Sequence, residues 1–157
     1  MPRHPYKKRQ SITDPIYRST EVAKLVNYVM LDGKKSVASN IVYSVLDEIK
    51  NKKMDPLQTL HQAIANVAPN FEVKPRRLGG ASYLVPIEVR PTRKLFLALK
   101  WIVEAASTRS NKEYHSFDKK LTSELLDAAK NLGPAVAKKL QTEKLAQANK
   151  AFAHLIW

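Results

Sequence analysis

Seven cations, Lys74, Arg76, Arg77, Arg90, Arg93, Lys94 and Lys100, lie in the stretch FEVKPRRLGGASYLVPIEVRPTRKLFLALK, residues 71–100. From position 73 onward they face one acid, Glu88. Arginine presents a planar fork that grips phosphate oxygens two at a time, so this composition suits a polyanion. Gly79-Gly80 separates two short runs rich in Val, Ile, Phe and Tyr, which predicts a β-hairpin closing at the glycines. An isolated two-stranded ribbon is marginal in water and has no second sheet against which to bury its charges. Tyr83, beside Arg76 and Arg77, admits two readings: a stacking surface for an unpaired base, or a cross-strand packing residue.

Catalytic chemistry finds no comparable support. Asp32-Gly33-Lys34-Lys35-Ser36 invites a nucleotide-loop reading, but a Walker loop needs a second glycine five positions earlier and Ser or Thr directly after the lysine. Those positions hold Tyr28 and Lys35, so a helix–helix turn displaying Lys34 and Lys35 is expected. His4, His61, His115 and His154 show no metal-ligand spacing, and no serine sits in a nucleophile elbow. No enzyme, metal site or cofactor is expected.

The whole chain carries the same sign. Its 157 residues have 27 Lys and Arg against 14 Asp and Glu, a net charge of +13, which points to nucleic acid or an anionic surface. A membrane fits less well, because no apolar run approaches the roughly 20 residues that span a bilayer. Cysteine is absent, excluding disulfides and thiolate chemistry. The start, MPRHPYKKRQ, lacks an apolar core and does not read as a secretory signal. It reads as a basic arm, residues 1–18, that orders on RNA through Arg3, Lys7, Lys8 and Arg9, with a solubilising tail as the alternative.

The elements that must position these groups are helical, in a single domain over residues 19–157. Ser19 or Thr20 caps a first helix whose Val22, Leu25, Val26, Val29 and Met30 form one stripe, ended at Asp32-Gly33. Ser36 then caps a second helix burying Ala38, Ile41, Val42, Val45, Leu46 and Ile49. Asp55-Pro56 starts a third, with Leu57, Leu60, Ile64 and Val67 inward. The ribbon, residues 71–89, projects between the third and fourth helices. A Gly79-Gly80 turn closing on Leu78 and Ala81 accommodates Pro75 and Pro86, but sets Phe71 and Val73 opposite in face to Ile87 and Val89. A bulge or broken pairing near the base is therefore expected, to restore one apolar face. Thr92 caps a fourth helix with Leu95, Phe96, Leu99, Ile102, Val103 and Ala106 inward, and Arg93-Lys94 in its first turn is the wrong sign for a helix N-terminus. Arg109 opens a polar loop to Ser116 and joins the basic set by charge. A fifth helix carries Leu121, Leu125, Leu126 and Ala129. The sixth, from Ala135 to about Phe152, has a thin stripe of Val136, Leu140 and Leu145. Its Lys138, Lys139, Lys144 and Lys150 are either a solvated face or further contacts.

VNYVMLDGKKSVASNIVYSVLDEI, EVKPRRLGGASYLVPIEVRPTRK, WIVEAA and ANKAFAHLIW together resemble the bacterial-type family of small-subunit ribosomal protein seven, in that family's order, from Asp14 to Trp157. The resemblance implies a mainly α fold, a six-helix domain with one protruding two-stranded β-ribbon between helices three and four. It also implies a structural constituent of the ribosome that binds the 3′ major domain of small-subunit rRNA and nucleates assembly of the subunit head. Exit-site tRNA, mRNA and neighbouring proteins of the head and platform are its implied partners, with no membrane. Lys74, Arg76, Arg77, Gly79 and Gly80 match the family's ribbon, Arg90, Arg93 and Lys94 its basic lead into the fourth helix, and Lys34-Lys35 its DGKK turn. Pro75, Leu78 and Leu84 depart from the pattern, Leu84 standing in place of glutamine. The implied location is a cytoplasmic ribosome, or a stromal or matrix one if organelle-encoded. Alternatives are a repressor binding its own mRNA and a generic basic nucleic-acid-binding protein.

Overall fold

The structure is a computed structural model and describes residues 12–155. Six α-helices, α1 Thr20–Val29, α2 Lys35–Asn51, α3 Pro56–Val67, α4 Pro91–Thr108, α5 Phe117–Ala129 and α6 Pro134–Ala148, surround one core. A two-stranded antiparallel ribbon, β1 Phe71–Leu78 and β2 Ala81–Glu88, lies between α3 and α4, and a 3₁₀ helix, Lys150–Leu155, follows α6. The expected mainly α architecture is the one observed.

The apolar stripes build the core. Val22, Leu25 and Val26 of α1, Val42, Val45, Leu46 and Ile49 of α2, and Leu60 and Val67 of α3 are all buried. Helix α5 packs against α2, α3 and α4, and its Leu121 and Leu125 are completely enclosed. Asn66 ties α3 to the end of α5 by donating from Nδ2 to the carbonyls of Ala128 and Ala129, both at 2.9 Å. One inward assignment is corrected, since Leu57 is exposed on α3, and Leu97 and Trp101 join the buried members of α4.

Helix starts follow local chemistry. Ser19 Oγ accepts from Glu21 N–H at 3.2 Å, and the Asp55 carboxylate accepts from Leu57 N–H at 2.9 Å and Gln58 N–H at 3.3 Å. Asp55→Ala strands those donors while leaving the core intact. It should lower stability by about 1 kcal/mol, read in urea titrations as a shifted midpoint with an unchanged slope.

Several boundaries differ from expectation. Helix α1 ends at Val29, capped by Met30 N–H to the Val26 carbonyl, so Asp32 (φ +51°) and Gly33 (φ +73°) make the following turn and not the cap. Lys34 N–H to the Leu31 carbonyl and Lys35 N–H to the Gly33 carbonyl tighten that turn. Helix α2 consequently starts at Lys35, with Ser36 already inside it. Helix α4 begins at Pro91, one residue before Thr92, because proline suits the first helical position. Helix α6 stops at Ala148, where Asn149 Nδ2 donates back to the Leu145 carbonyl at 2.8 Å. Of its expected stripe Val136 is buried, together with Ala135 and Ala146, while Leu140 and Leu145 are exposed.

At the other end, Asp14 is no loose link. Its carboxylate accepts from Ile16 N–H, Tyr17 N–H and the Tyr43 hydroxyl of α2 at 2.8–3.0 Å, which docks residues 14–18 on the helices. That hydrogen bond, with burial and the Asp14 charge, raises the Tyr43 hydroxyl above its usual pKa.

Candidate nucleic-acid interface

The ribbon is continuous. Pairing runs without interruption from Leu78–Ala81 beside the turn to Phe71–Glu88 at the base, so the expected bulge is absent. Gly79 and Gly80 have φ of +55° and +91°, positive at both central turn positions as a type I′ turn requires. No bulge is needed because the base buries a side chain on each face. Val85 and Pro86 are consecutive, hence on opposite faces, and both are buried. Arg76 pairs across from Tyr83, and Arg77 from Ser82. The two arginines therefore project from opposite faces of the ribbon near its tip.

The base of the ribbon and the start of α4 form the densest cluster. Glu72, which precedes the all-basic stretch, accepts ion pairs from Lys74 and Arg93, both at 3.4 Å. Alternation puts Glu72 and Lys74 on one strand face, a signal that counting acids from position 73 misses. Arg93 also lies over the Phe96 ring, 4.8 Å from its centre, and Phe96 meets Tyr28 of α1 edge-on at 5.6 Å. Burial raises the Tyr28 hydroxyl above its usual pKa, and the nearby Arg93 charge opposes the rise. Lys94 Nζ donates to Asn70 Oδ1 at 2.9 Å. Arg90 occupies the N-cap of α4 without a side-chain cap bond, and no acid lies in the first turn. The helix dipole and three cations thus add at one place, which is chemistry for holding phosphate.

The remaining candidates scatter. Lys34 and Lys35 are exposed on the α1–α2 turn, without an ion-pair partner among the described residues. Lys100 pairs with Glu104 at 3.6 Å, one turn along α4, and Glu104 also binds Lys138 of α6 at 2.6 Å. The Lys138 hydrogen bond is the main reason the Glu104 carboxyl sits below its usual pKa. Tyr83 packs on Phe152 of the 3₁₀ helix, ring centres 5.3 Å apart. Arg3, Lys7, Lys8 and Arg9 lie outside the described residues.

Arg109 lies apart from this cluster, enclosed by a network of its own. Its side chain is 14% exposed and is held by acids on α5. Nε donates to Glu124 Oε2 at 2.8 Å, Nη2 to Asp127, and Nη1 to Ser123 Oγ at 2.8 Å. Tyr114 lies against the guanidinium at 5.6 Å. Burial alone would lower its pKa, but the bonds to Asp127 and Glu124 override that and raise it. Glu124 is fully buried and also accepts the Ala135 N–H at 3.2 Å, joining α5 to the start of α6.

Among the described residues, no three His, Asp or Glu side chains are placed to hold a metal. No described helix is long and apolar enough to cross a membrane. Residues 1–150 match the family described as Ribosomal protein S7p/S5e. The chain belongs to this family. It is a ribosomal protein, not an enzyme, and RNA binding in translation is consistent with that membership. The chain is 52% identical to the Small ribosomal subunit protein uS7 of Caldanaerobacter subterraneus subsp. tengcongensis, with both chains covered in full. It is 51% identical to the protein of that name from Sulfurihydrogenibium sp., again with full coverage of both. The Thioalkalivibrio sulfidiphilus protein of that name is 52% identical over 96% of this chain and 95% of its own length.

Proposed function

We propose that the chain is a structural constituent of the small ribosomal subunit that binds the 3′ major domain of its rRNA and nucleates assembly of the head. The ribbon then contacts exit-site tRNA and mRNA, with neighbouring head and platform proteins alongside. The carrying observation is the meeting of Lys74, Arg93 and Lys94 at the ribbon base, below a tip with Arg76 and Arg77 on opposite faces. Such a surface recognises folded RNA by shape and phosphate, with little base readout.

Binding to a transcript of the 3′ major domain, set against a scrambled RNA of equal length at two salt concentrations, tests the proposal. A preference of about a thousandfold that survives the higher salt is expected of a specific site. Equal affinities that collapse together would leave only a polycation and overturn the proposal. Within the same surface, Arg76→Ala with Arg77→Ala should weaken tRNA and mRNA contacts more than rRNA binding. Equal loss at both would remove the division of labour.

A further inference from the structure

We infer that the C-terminal 3₁₀ helix is a clamp that fixes the ribbon in its binding pose, with Phe152 the positioning residue and Tyr83 its seat. The inference rests on the proposed RNA-binding role of the ribbon. A two-stranded ribbon does not hold its own shape in water. Apart from each other, the elements that β1 and β2 chiefly pack against are α6 and the 3₁₀ helix, which arrive more than forty residues later in the chain.

That support is uneven. On one side, Phe71, Pro86 and Glu88 of the ribbon base face Glu143, Ala146 and Lys150 across an open groove of about 540 Å³. The groove leaves this face incompletely packed. Two contacts bridge the elements more closely. Glu143 accepts the Asn70 N–H at 2.9 Å at the foot of the ribbon. Tyr83 meets the Phe152 ring at 5.3 Å with a 51° tilt, further towards the tip. Val85, two residues from Tyr83 on the same strand face, is completely buried although it is not part of the main core cluster. After β1, the 3₁₀ helix is the element packed most extensively on β2, and its Phe152 meets Tyr83 on the strand face that also holds Val85.

The position of the ring pair gives it functional reach. Tyr83 is the cross-strand partner of Arg76 and is preceded by Ser82, the partner of Arg77. Holding Tyr83 therefore holds both arginines at a fixed tilt to the cluster at the ribbon base. A ring committed to Phe152 is also poorly placed to stack on an RNA base, which selects the packing reading of Tyr83 over the stacking one.

The test uses the full chain and the variants Phe152→Ala, Phe152→Tyr, Tyr83→Ala and the double alanine. Amide hydrogen exchange is measured without RNA, and affinity is measured for the 3′ major domain transcript and for tRNA. Loss of the ring pair should speed exchange in residues 72–87 by up to about tenfold, with α2 and α5 unchanged. Affinity for tRNA should fall in parallel, Phe152→Tyr should restore both readouts, and the double variant should be no worse than either single one. Unchanged ribbon exchange in Phe152→Ala would overturn the clamp. A further loss of RNA affinity on adding Tyr83→Ala to Phe152→Ala would overturn it too, since Tyr83 would then be stacking on a base. Failure of the unaltered chain to prefer its rRNA would instead refute the proposed function, while exchange without RNA would still decide the clamp.

Discussion

Arg109→Ala should destabilise the fold by about 3–5 kcal/mol, the usual result of removing one partner from a buried ion pair. In a domain of this size that lowers the melting temperature by on the order of 10 °C. The size of the effect follows from what stays behind. Glu124 has no exposure, and its two oxygens serve Arg109 and the Ala135 N–H. Without the guanidinium its charge is buried beside a single backbone donor, and Asp127 adds a second negative charge nearby. Arg109→Lys should recover little, because one ammonium cannot reach Glu124, Asp127 and Ser123 together. Replacing both Arg109 and Glu124 by apolar residues of similar volume should recover much of the loss. Thermal melts of the three variants check this, and a loss below about 1 kcal/mol for Arg109→Ala, in the range of an ordinary surface pair, would show that the network does not brace the fold. Well below its melting temperature, Arg109→Ala should bind RNA with unchanged affinity, since the residue lies off the basic surface.

The Arg109 network also shows where sequence reading succeeds and where it stops. Helical stripes were legible because a 3.6-residue period is local: Val42, Val45, Leu46 and Ile49 declare their face within one helix. The ribbon turn was legible because Gly79-Gly80 leaves few ways to close a hairpin. What failed depended on partners distant in the chain. A bulge follows only if the ribbon buries one face, whereas Val85 and Pro86, on opposite faces, are both buried. Leu140 and Leu145 form an apolar stripe in sequence, yet α6 packs through Ala135, Val136 and Ala146, whose size permits close approach. Arg109 looked exposed because it opens a polar loop, and its acids follow 15 and 18 residues later. One local signal did exist. Glu124 falls on the same face of α5 as Leu121, Leu125 and Ala128, an acid within a buried stripe, and such an acid requires a cation. Of the candidate site, the charge was legible and its neutralisation was not: Glu72 and Glu104 each hold two cations, and only the fold shows which.

Those acids shape the salt dependence of RNA binding. Among the described residues, Lys34, Lys35, Lys74, Arg76, Arg77, Arg90, Arg93 and Lys94 remain as candidate phosphate contacts once Lys100, more than two turns into α4, and Arg109, held by α5, are set aside. Neutralising about eight phosphates gives a slope of log affinity on log salt between about −6 and −7. Affinity for the 3′ major domain should then fall by about four orders of magnitude between 50 and 200 mM salt. Arg90→Ala should flatten the slope by about one, the signature of a lost phosphate contact. Lys100→Ala should leave it unchanged, because Lys100 lies more than two turns into α4, away from the cluster at its first turn. Glu72→Gln should tighten binding with little change in slope, since Lys74 and Arg93 already count among the eight and lose only a competing counter-charge. The sign of the Glu72→Gln effect is the decisive part. Tighter binding would mean that the ribbon base meets phosphate directly, with Glu72 competing for the same cations. Weaker binding would mean that Glu72 is needed to hold Lys74 and Arg93 in position, and that RNA contact lies mainly with the tip and the Lys34-Lys35 turn.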